Sequence, residues 1–350
     1  MALQLEQDEL VEQVVEGEHR LTLRKQLLWV PGEPRLAVVR KTLPEGPTRG
    51  TPVVLVHGFA QNRYSWHLSR RSMVNWLAAQ GWEVLNLELR GHGRSRPREG
   101  VEECFGDYVE DLRRMREHLG VAPFVVGHSL GGAVGYAAAA EGVDLAGVVG
   151  LGALYRFGNA NWFLGLLARL SWTGRHGVLI KGLGVRTRLA GWALGQAFEL
   201  ADVAGYALPV SGWWPGSIEP DLLRERLVRG FDWTSVQVWL DMCEWSVRRR
   251  FHPYEQAWSR CTTPVLVVVG DEDHLMPPGD ANPAYEVSGA EDKELLLLEP
   301  YAHQTHWGHL DLVLGKLAST VVWPAISEWM AQRDEGSGNR SRRGTTTSSP

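Results

Sequence analysis

Hydrophobic residues in the first half of the chain alternate between short continuous runs and longer stretches with helical spacing. The runs Pro52–Val56 and Pro123–Val126 are uninterrupted apolar segments, which is typical of strands buried on both faces of a sheet. Between them, Trp66–Gly81 has apolar residues at helical intervals and ends in a glycine, which predicts a helix. Strand and helix are therefore expected to alternate along the chain.

The neighbouring segments extend the same alternation. The further predicted strands are Arg20–Val30, Arg35–Thr42, Glu83–Leu89 and Leu145–Leu151, and the further predicted helices are Phe105–Leu119 and Gly131–Glu141. A strand-then-helix order of this kind predicts an α/β protein with a mostly parallel central sheet and helices on both of its faces.

The alternation stops after residue 154 and resumes near residue 261. The intervening residues, 155–260, contain nine of the 16 tryptophans of the chain and no run that predicts a buried strand. We interpret them as a helical cap or lid inserted over the sheet. Beyond the cap, Thr263–Val269 and Glu294–Leu298 predict two more strands, and Leu310–Met330 predicts a final helix.

These patterns divide the chain into a core of residues 20–154 and 261–333 and a Trp-rich cap of residues 155–260. Residues 1–19 are expected to form an acidic N-terminal extension. Residues 334–350 consist largely of Gly, Ser, Thr and Arg, and we expect a disordered tail because they offer little to bury. A length of 350 residues suits one elaborated domain.

Composition and charge exclude several classes of protein. A net charge of -5 argues against a nucleic-acid surface, so no nucleic-acid partner is expected. No apolar stretch approaches the roughly 20 residues that a spanning helix needs, and the acidic first residues do not resemble a secretory signal, so no stable membrane insertion is expected. Three scattered cysteines form neither a disulfide framework nor a metal-binding pair. The composition therefore favours a cytoplasmic location.

A serine is enclosed by glycines in the segment Gly-His-Ser-Leu-Gly, residues 127–131, between a predicted buried strand and a predicted helix. In this context the pattern is typical of a sharp turn that exposes a nucleophilic serine, here Ser129. The Leu130 amide then lies at the amino end of a helix, where it can stabilise an oxyanion. The alternative is a plain tight turn, which glycines also permit.

A serine nucleophile needs a base, and the base needs an acid to orient it. The segment Gly-Asp-Glu-Asp-His, residues 270–274, leaves the carboxyl end of a predicted central strand, where the sites of open α/β sheets lie. We prefer Asp273 as the acid because it lies further along the loop and can turn back toward the base. Asp271 is the alternative acid, although its position suits a cap of the turn better.

Three histidines, His303, His306 and His309, follow at intervals of three. His309 follows a glycine and precedes a predicted helix, and the chain order Ser, Asp, His fits the architecture of the serine motif, so His309 is the expected base. Three histidines are also a possible metal ligand set. This spacing carries the outer pair away from one helical face, and no carboxylate or open-site motif accompanies them, so we predict no metal site.

Backbone amides after the first central strand can complete an oxyanion hole. In the segment His-Gly-Phe, residues 57–59, the Phe59 amide is the expected second donor beside Leu130. We expect His57 to have a structural hydrogen-bonding role. The glycine-rich segment Arg90–Ser95 lacks the spacing of a phosphate-binding loop, so a packed turn near the site is expected.

The segments HGF, RGHGRS, GHSLGG, GDEDHLMPP and GHLDLVLG occur in the order found in the α/β-hydrolase superfamily, which the chain resembles from about Arg20 to Met330. The resemblance implies the α/β-hydrolase fold, a triad of Ser129, Asp273 and His309, and no cofactor. The region around His309 is similar to the histidine region of polyhydroxyalkanoate synthases and of acid lipases. Synthases of that type have a cysteine at the position of Ser129, which favours hydrolysis for this chain.

The resemblance and the candidate residues predict a serine hydrolase of esterase or lipase type that cleaves carboxylic esters through an acyl-enzyme. The expected partner is a small apolar acyl ester, because an aromatic cap can line a pocket for an acyl chain. A thioesterase or amidase uses the same triad, and a non-catalytic ligand-binding protein on the same scaffold is a third alternative. No pattern in the sequence indicates the oligomeric state.

Overall fold

The computed structural model describes residues 2–96, 103–175, 185–186 and 210–343. Nine of the strands in these residues form one central sheet. In chain order the strands are β1 Gln4–Glu16, β2 His19–Val30, β3 Leu36–Thr42, β4 Val53–Val56, β5 Val84–Leu87, β6 Phe124–His128, β7 Gly147–Leu151, β8 Val185–Arg186, β9 Trp233–Thr234, β10 Val265–Gly270 and β11 Lys293–Leu298.

The central sheet has the order β1-β2-β3-β5-β4-β6-β7-β10-β11. From β5 to β11 all neighbouring strands are parallel, whereas β1, β2 and β3 form an antiparallel edge that joins β5. The short strands β8 and β9 form a separate antiparallel pair. The prediction of an α/β protein with a mostly parallel sheet is confirmed.

Helices lie between the strands. In chain order they are α1 Met73–Ala79, α2 Phe105–Leu119, α3 Leu130–Ala140, α4 Trp162–Gly174, α5 Pro220–Arg229, α6 Val236–Arg248, α7 Glu255–Trp258, α8 Pro278–Ala281, α9 Pro283–Val287, α10 Pro300–His303, α11 Asp311–Leu314 and α12 Trp323–Arg343. Two 3-10 turns, Arg63–Ser65 and Gly93–Ser95, and a π-helical segment, Ala318–Val322, connect some of these elements.

Both faces of the sheet are covered, as the continuous apolar strands require. On β4, Val54 and Val56 belong to a core that includes α2 and α3, whereas Val53 and Leu55 belong to a core that includes α1 and α12. Successive side chains of a strand point to opposite faces, so every residue of β4 is buried. This burial explains why the central strands have no polar alternation.

The first predicted helix begins later than its hydrophobic spacing indicates. The spacing predicts a helix over Trp66–Gly81, but α1 begins at Met73 because the Ser72 hydroxyl accepts a hydrogen bond from the Asn75 amide and caps it there. Trp66 lies in the preceding loop and is fully buried. Its apolar character therefore reflects loop packing against the core.

The final predicted helix, Leu310–Met330, is divided into three segments by the structure. The helix α11 ends at Leu314, and Gly315 leaves the helical conformation with a ψ of 149°. A side chain at Gly315 would place its Cβ 2.7 Å from the Asp311 carbonyl oxygen, so a glycine fits this turn. The π-helical segment and α12 follow.

The predicted acidic extension, residues 1–19, is not separate from the core. Residues 4–16 form β1, which pairs with β2 along most of its length. Asp8 on β1 pairs with Arg24 on β2, and Glu9 pairs with Lys25, so the acidic residues of β1 face basic residues of its neighbour. The sheet therefore begins ahead of the predicted boundary at residue 20.

The predicted tail, residues 334–350, also begins too early. Residues 334–343 continue α12, and residues 344–350 lie outside the described part of the chain. The Asp334 carboxylate accepts a hydrogen bond of 2.6 Å from the Thr51 hydroxyl and so ties the middle of α12 to the loop before β4. Extension of an existing helix adds a backbone hydrogen bond for each residue without a new nucleus, so few apolar residues suffice.

The described part of the cap consists mainly of the helices α4 to α7, together with β8 and β9. The helices α4 and α6 pack against each other. The whole insertion lies between β7 and β10, which are neighbours in the sheet. Among the described helices, none is long and apolar enough to span a bilayer.

Candidate active site

Ser129 occupies a strained turn between β6 and α3. Its φ is 57° and its ψ is -123°, which L-residues rarely adopt. The flanking glycines allow this turn to approach its surroundings, because a Cβ at Gly127 would lie 2.3 Å from the Gly131 carbonyl carbon and one at Gly131 would lie 2.2 Å from the Val56 oxygen. The motif is therefore a sharp strand-to-helix turn in which a non-glycine residue bears the strain.

His309 and Asp273 form a buried acid–base pair. The His309 Nδ1 atom lies 2.7 Å from Asp273 Oδ2, and both side chains are almost fully buried. The other carboxylate oxygen, Oδ1, accepts hydrogen bonds of 3.0 and 2.7 Å from the amides of Leu275 and Met276. These contacts hold the carboxylate in the orientation that an imidazole N–H requires.

The loop that carries His309 lies against the turn that carries Ser129. The ring of His128, the residue before Ser129, donates a hydrogen bond of 3.0 Å from Nε2 to the His309 carbonyl, and the two rings have centroids 4.5 Å apart. Within the described residues the Ser129 hydroxyl makes no hydrogen bond. Contacts between catalytic groups often tighten only when substrate binds, so the pair and the serine can still cooperate.

The loop after β4 lies beside the same serine. A Cβ at Gly58 would lie 3.0 Å from the Ser129 Cβ, and the Gln61 side chain holds the Gly58 amide through a hydrogen bond of 3.3 Å. No acceptor in the described residues binds the Phe59 amide. The Leu130 amide lies in the first turn of α3, where backbone N–H groups have no partner within the helix. Both expected oxyanion donors are therefore available next to Ser129.

The sequence suggested that Asp271 caps its own turn, but the structure shows other partners for its carboxylate. Its carboxylate accepts a hydrogen bond of 2.9 Å from the Trp307 amide, and its Oδ2 lies 2.5 Å from His306 Nδ1. This second acid–histidine pair is more exposed than the first, with 38% of the His306 side chain accessible. Each aspartate thus contacts a different histidine: Asp271 contacts His306, and Asp273 contacts His309.

The three histidines do not converge as a ligand set in the described structure. The His303 ring accepts a hydrogen bond from the Glu299 amide, whereas His306 and His309 each face a different aspartate. The expectation that no carboxylate accompanies the histidines is wrong for His306, since its ligand atom lies within 4.8 Å of those of Asp271 and Glu272. Within this cluster His306 contacts Asp271, whereas Glu272 lies 3.1 Å from His274 Nε2.

His57 and the glycine-rich loop have structural contacts, as expected. The His57 Nε2 atom accepts a hydrogen bond of 3.2 Å from the Leu89 amide, and burial lowers the pKa of this imidazole well below its ordinary value. In the segment Arg90–Ser95, the Arg90 guanidinium pairs with Asp107 and Asp111 at 2.9 and 2.7 Å. A packed turn near the site is thereby confirmed.

Asp311 is a residue near the site that the sequence reasoning missed. Its buried carboxylate accepts hydrogen bonds from the amides of Gly308 and Trp214 at 2.7 and 2.8 Å and from the Ser217 hydroxyl at 2.6 Å. Burial raises the pKa of Asp311 to about 7. The partners Trp214 and Ser217 lie in the cap, far away in the sequence, so no local pattern could reveal this contact.

Comparison with known proteins gives one family and several partial relatives. A family model described as alpha/beta hydrolase fold matches residues 51–176. The chain is 33% identical over 76 residues to a poly(3-hydroxyalkanoate) polymerase subunit of Haloferax mediterranei, which covers 22% of this chain and 14% of that protein. It is 32% identical over 99 residues to a monoacylglycerol lipase of Mycolicibacterium smegmatis, which covers 27% and 34%. The matched segments thus span about a third or less of these relatives.

Solved structures resemble the chain over most of its length. A monoacylglycerol lipase of Paleococcus ferrophilus superimposes with a TM-score of 0.59 at 22% identity, covering 85% of this chain and 99% of that one. An esterase of Thermogutta terrifontis superimposes with a TM-score of 0.54 at 20% identity, covering 93% and 99%. At these identities the likeness establishes the fold.

The sheet order, the strained serine turn and these matches together identify the fold of the chain. The chain has the α/β-hydrolase fold, and the family model described by that name matches its residues 51–176.

Proposed function

We propose that the chain is a serine hydrolase that cleaves carboxylic esters, with Ser129 as nucleophile, His309 as base and Asp273 as orienting acid. The observation that carries this proposal is the buried 2.7 Å contact between His309 and Asp273 beside the strained turn of Ser129. The names of several relatives, monoacylglycerol lipase and esterase among them, support an ester as substrate.

The proposed reaction gives each of these groups one role. The Ser129 oxygen attacks the ester carbonyl while His309 Nε2 accepts its proton, and Asp273 stabilises the resulting imidazolium through Nδ1. The amides of Phe59 and Leu130 stabilise the tetrahedral oxyanion. The intermediate expels the alcohol, which takes the proton from His309. Water activated by the same histidine then attacks the acyl-enzyme and releases the acid and free Ser129.

Aromatic side chains of the cap favour an apolar acyl group. The ring of Trp239 on α6 lies 6.2 Å from that of Phe59 and 5.5 Å from that of Phe157, measured between centroids. Phe59 carries one of the expected oxyanion donors, so an aromatic surface adjoins the reaction centre. Apolar walls with few polar groups are typical of sites for hydrocarbon ligands. We therefore propose a small apolar acyl ester as substrate and residues 155–260 as the cap that selects it.

The test is hydrolysis of p-nitrophenyl esters of increasing chain length by the full chain. We expect Ser129→Ala and His309→Ala to lower kcat by a factor of about 10⁴ or more, because each removes a group that the first step needs. The matched control is His306→Ala, which removes the neighbouring histidine and should retain most activity. Full activity of Ser129→Ala, or no activity of the wild type on any chain length, contradicts the proposal.

The choice of acid is tested with a second matched pair. Asp273→Asn should lower kcat by a factor of about 10³ to 10⁴, because an amide cannot hold the imidazole in the required tautomer. Asp271→Asn changes the neighbouring aspartate by the same atoms and should lower kcat far less, since Asp271 faces His306. The reverse ranking of the two variants would assign the acid to Asp271.

A further inference from the structure

The cap helix α4 presents a contiguous apolar face to solvent. The exposed members of this face are Trp162, Phe163, Leu166, Leu167 and Leu170, and Trp162 and Leu170 are 70% and 63% accessible. They recur every three to four residues and so lie along one side of the helix. On the opposite side Leu164 and Ala168 are buried against the core. A stripe of this size on one helix is more than the scattered apolar residues of an ordinary surface.

The sequence that contains this helix carries charge of one sign. Between Leu145 and Phe198 the sequence contains no aspartate or glutamate, although the whole chain has a net charge of -5. Over residues 162–198 it contains five basic residues. Two of them, Arg169 and Arg175, lie in or directly after α4. The helix with the apolar face therefore carries arginine and no acidic residue, in a protein whose net charge is negative.

We propose that α4 docks on an anionic phospholipid bilayer, lying in the plane of the interface with its apolar face against the acyl chains. Tryptophan, phenylalanine and leucine on one face with arginine beside them are the composition of interfacial helices. At 13 residues α4 is about 20 Å long, which suits binding along a surface. A second copy of the chain fits less well, because the pairing of two α4 helices brings their arginines together and α4 itself has no acidic residue to neutralise them.

The docking helix is fixed to the loop of the proposed catalytic acid. Asn161 caps α4 by accepting hydrogen bonds of 3.0 Å from the Phe163 and Leu164 amides, and its side-chain amide donates a bond of 2.6 Å to the His274 carbonyl. His274 directly follows Asp273. A bilayer bound to α4 therefore lies beside the loop that orients the triad, although the docking itself does not depend on any hydrolysis.

The experiment is co-sedimentation of the full chain with vesicles. The protein carries Ser129→Ala so that lipids are not consumed and the outcome is independent of the proposed reaction. We expect binding to phosphatidylcholine vesicles that contain phosphatidylserine, weaker binding to pure phosphatidylcholine, and a decrease with added salt, because screening weakens attraction between arginines and lipid headgroups. Equal binding to both vesicle types with no salt dependence overturns the proposed anionic partner.

Variants on the exposed face locate the contact. The double substitution Leu166→Glu and Leu170→Glu should weaken binding to anionic vesicles by at least about tenfold, since it places two anions in the apolar face. Arg169→Glu should weaken binding to anionic vesicles while leaving binding to phosphatidylcholine unchanged. The matched control is Val121→Glu, because Val121 is also about half exposed and lies in the loop before β6. Equal binding of the double variant and this control overturns the proposal.

Gel filtration separates a bilayer partner from a second copy of the chain. We expect the wild type and the double variant to elute alike without vesicles. A wild-type dimer that the double variant converts to a monomer assigns the face to self-association and overturns bilayer docking.

Discussion

Gly152, directly after β7, sets the space available to the acid–base pair. Its φ is +49°, and a Cβ at this position would lie 2.9 Å from both Asp273 Oδ2 and His309 Nδ1. Any larger residue therefore pushes against the two atoms that form the hydrogen bond of the pair. The absence of a side chain at one backbone position keeps this contact intact.

We expect Gly152→Ala to lower kcat by a factor of about 10 to 10², because a displacement of the pair by a fraction of an ångström misaligns the base. The matched control is Gly142→Ala, since Gly142 also has a positive φ, +79°, but a Cβ added there would meet no atom of the described residues within 4 Å. Both variants incur backbone strain, and only the first should lose activity in the ester assay. Unchanged kcat in Gly152→Ala would show that the pair tolerates the added methyl group.

The site residues differ in how far the sequence could identify them. Ser129 could be identified because the strain of its turn requires glycines at fixed neighbouring positions. His309 and Asp273 could be proposed from loop positions after predicted elements, and the structure brings them together. The partner of Asp271 could not be identified, because His306 lies 35 residues away and only the fold brings the two together.

At the scale of elements, α11 and the cap are joined through one buried carboxylate. Asp311, the first residue of α11, binds the Gly308 amide within its own loop and two groups of the cap, at Trp214 and Ser217. The proposed base lies two residues before it. The position of His309 is therefore linked to the position of the cap.

The raised pKa of Asp311, about 7, gives this link a pH dependence. The folded state binds a proton at Asp311 more tightly than the unfolded state does, so its contribution to stability increases as the pH falls below about 7 and is lost as the pH rises through that value. The variant Asp311→Asn has no titrating group at this position. We therefore expect the stability of the wild type relative to this variant, measured as the free energy of unfolding, to increase from pH 8 to pH 5. Urea denaturation at several pH values measures this difference in free energy of unfolding. A difference that is constant with pH contradicts the raised pKa of Asp311.

The elements themselves were predictable to different degrees. Parallel strands such as β4 and β10 are buried on both faces, so their continuous apolar runs were sufficient to predict them as strands. The start of α1 was misplaced because Trp66 packs into the core from a loop, and hydrophobicity alone does not distinguish the two. β1 was missed because most of its residues are exposed and acidic, and its strand character comes from pairing with β2.

At the scale of the whole molecule, Arg71 connects three distant parts of the chain. Its buried guanidinium pairs with Glu16 at the end of β1 and with Glu219 in the cap, and it donates a hydrogen bond of 2.7 Å to the Leu314 carbonyl at the end of α11. A planar guanidinium has five N–H donors in a fixed fork, so it can bind two carboxylates and a carbonyl oxygen at the same time. The antiparallel edge, the proposed cap and the region of the proposed base thus share the positive charge of Arg71.

Arg71→Ala should lower the free energy of unfolding by about 2–4 kcal/mol, because it leaves two partly buried carboxylates without their counter-charge. The adjacent Arg70 is a matched control, since its pairing with Asp221 is largely exposed. Arg70→Ala should cost about 0–1 kcal/mol. Denaturation with urea compares the two, and an equal loss in both variants contradicts a bridging role for Arg71.

The direct pairing of β7 with β10 places the two junctions of the proposed cap side by side in the sheet. Val148 lies opposite Val265 in the sheet, so the insertion leaves and re-enters the scaffold at adjacent points. A gene fusion that replaced residues 155–260 would leave the strand order unaltered. A transplanted cap has to reproduce contacts along its whole length: those of Trp214, Ser217 and Glu219, and also the hydrogen bonds of Asn161 to His274, of Gly93 to Asp232 and of Trp258 to Ala284. The proposed selection of the acyl group and the proposed chemistry of the triad are thus encoded in separate stretches of the gene, the first in one contiguous insertion.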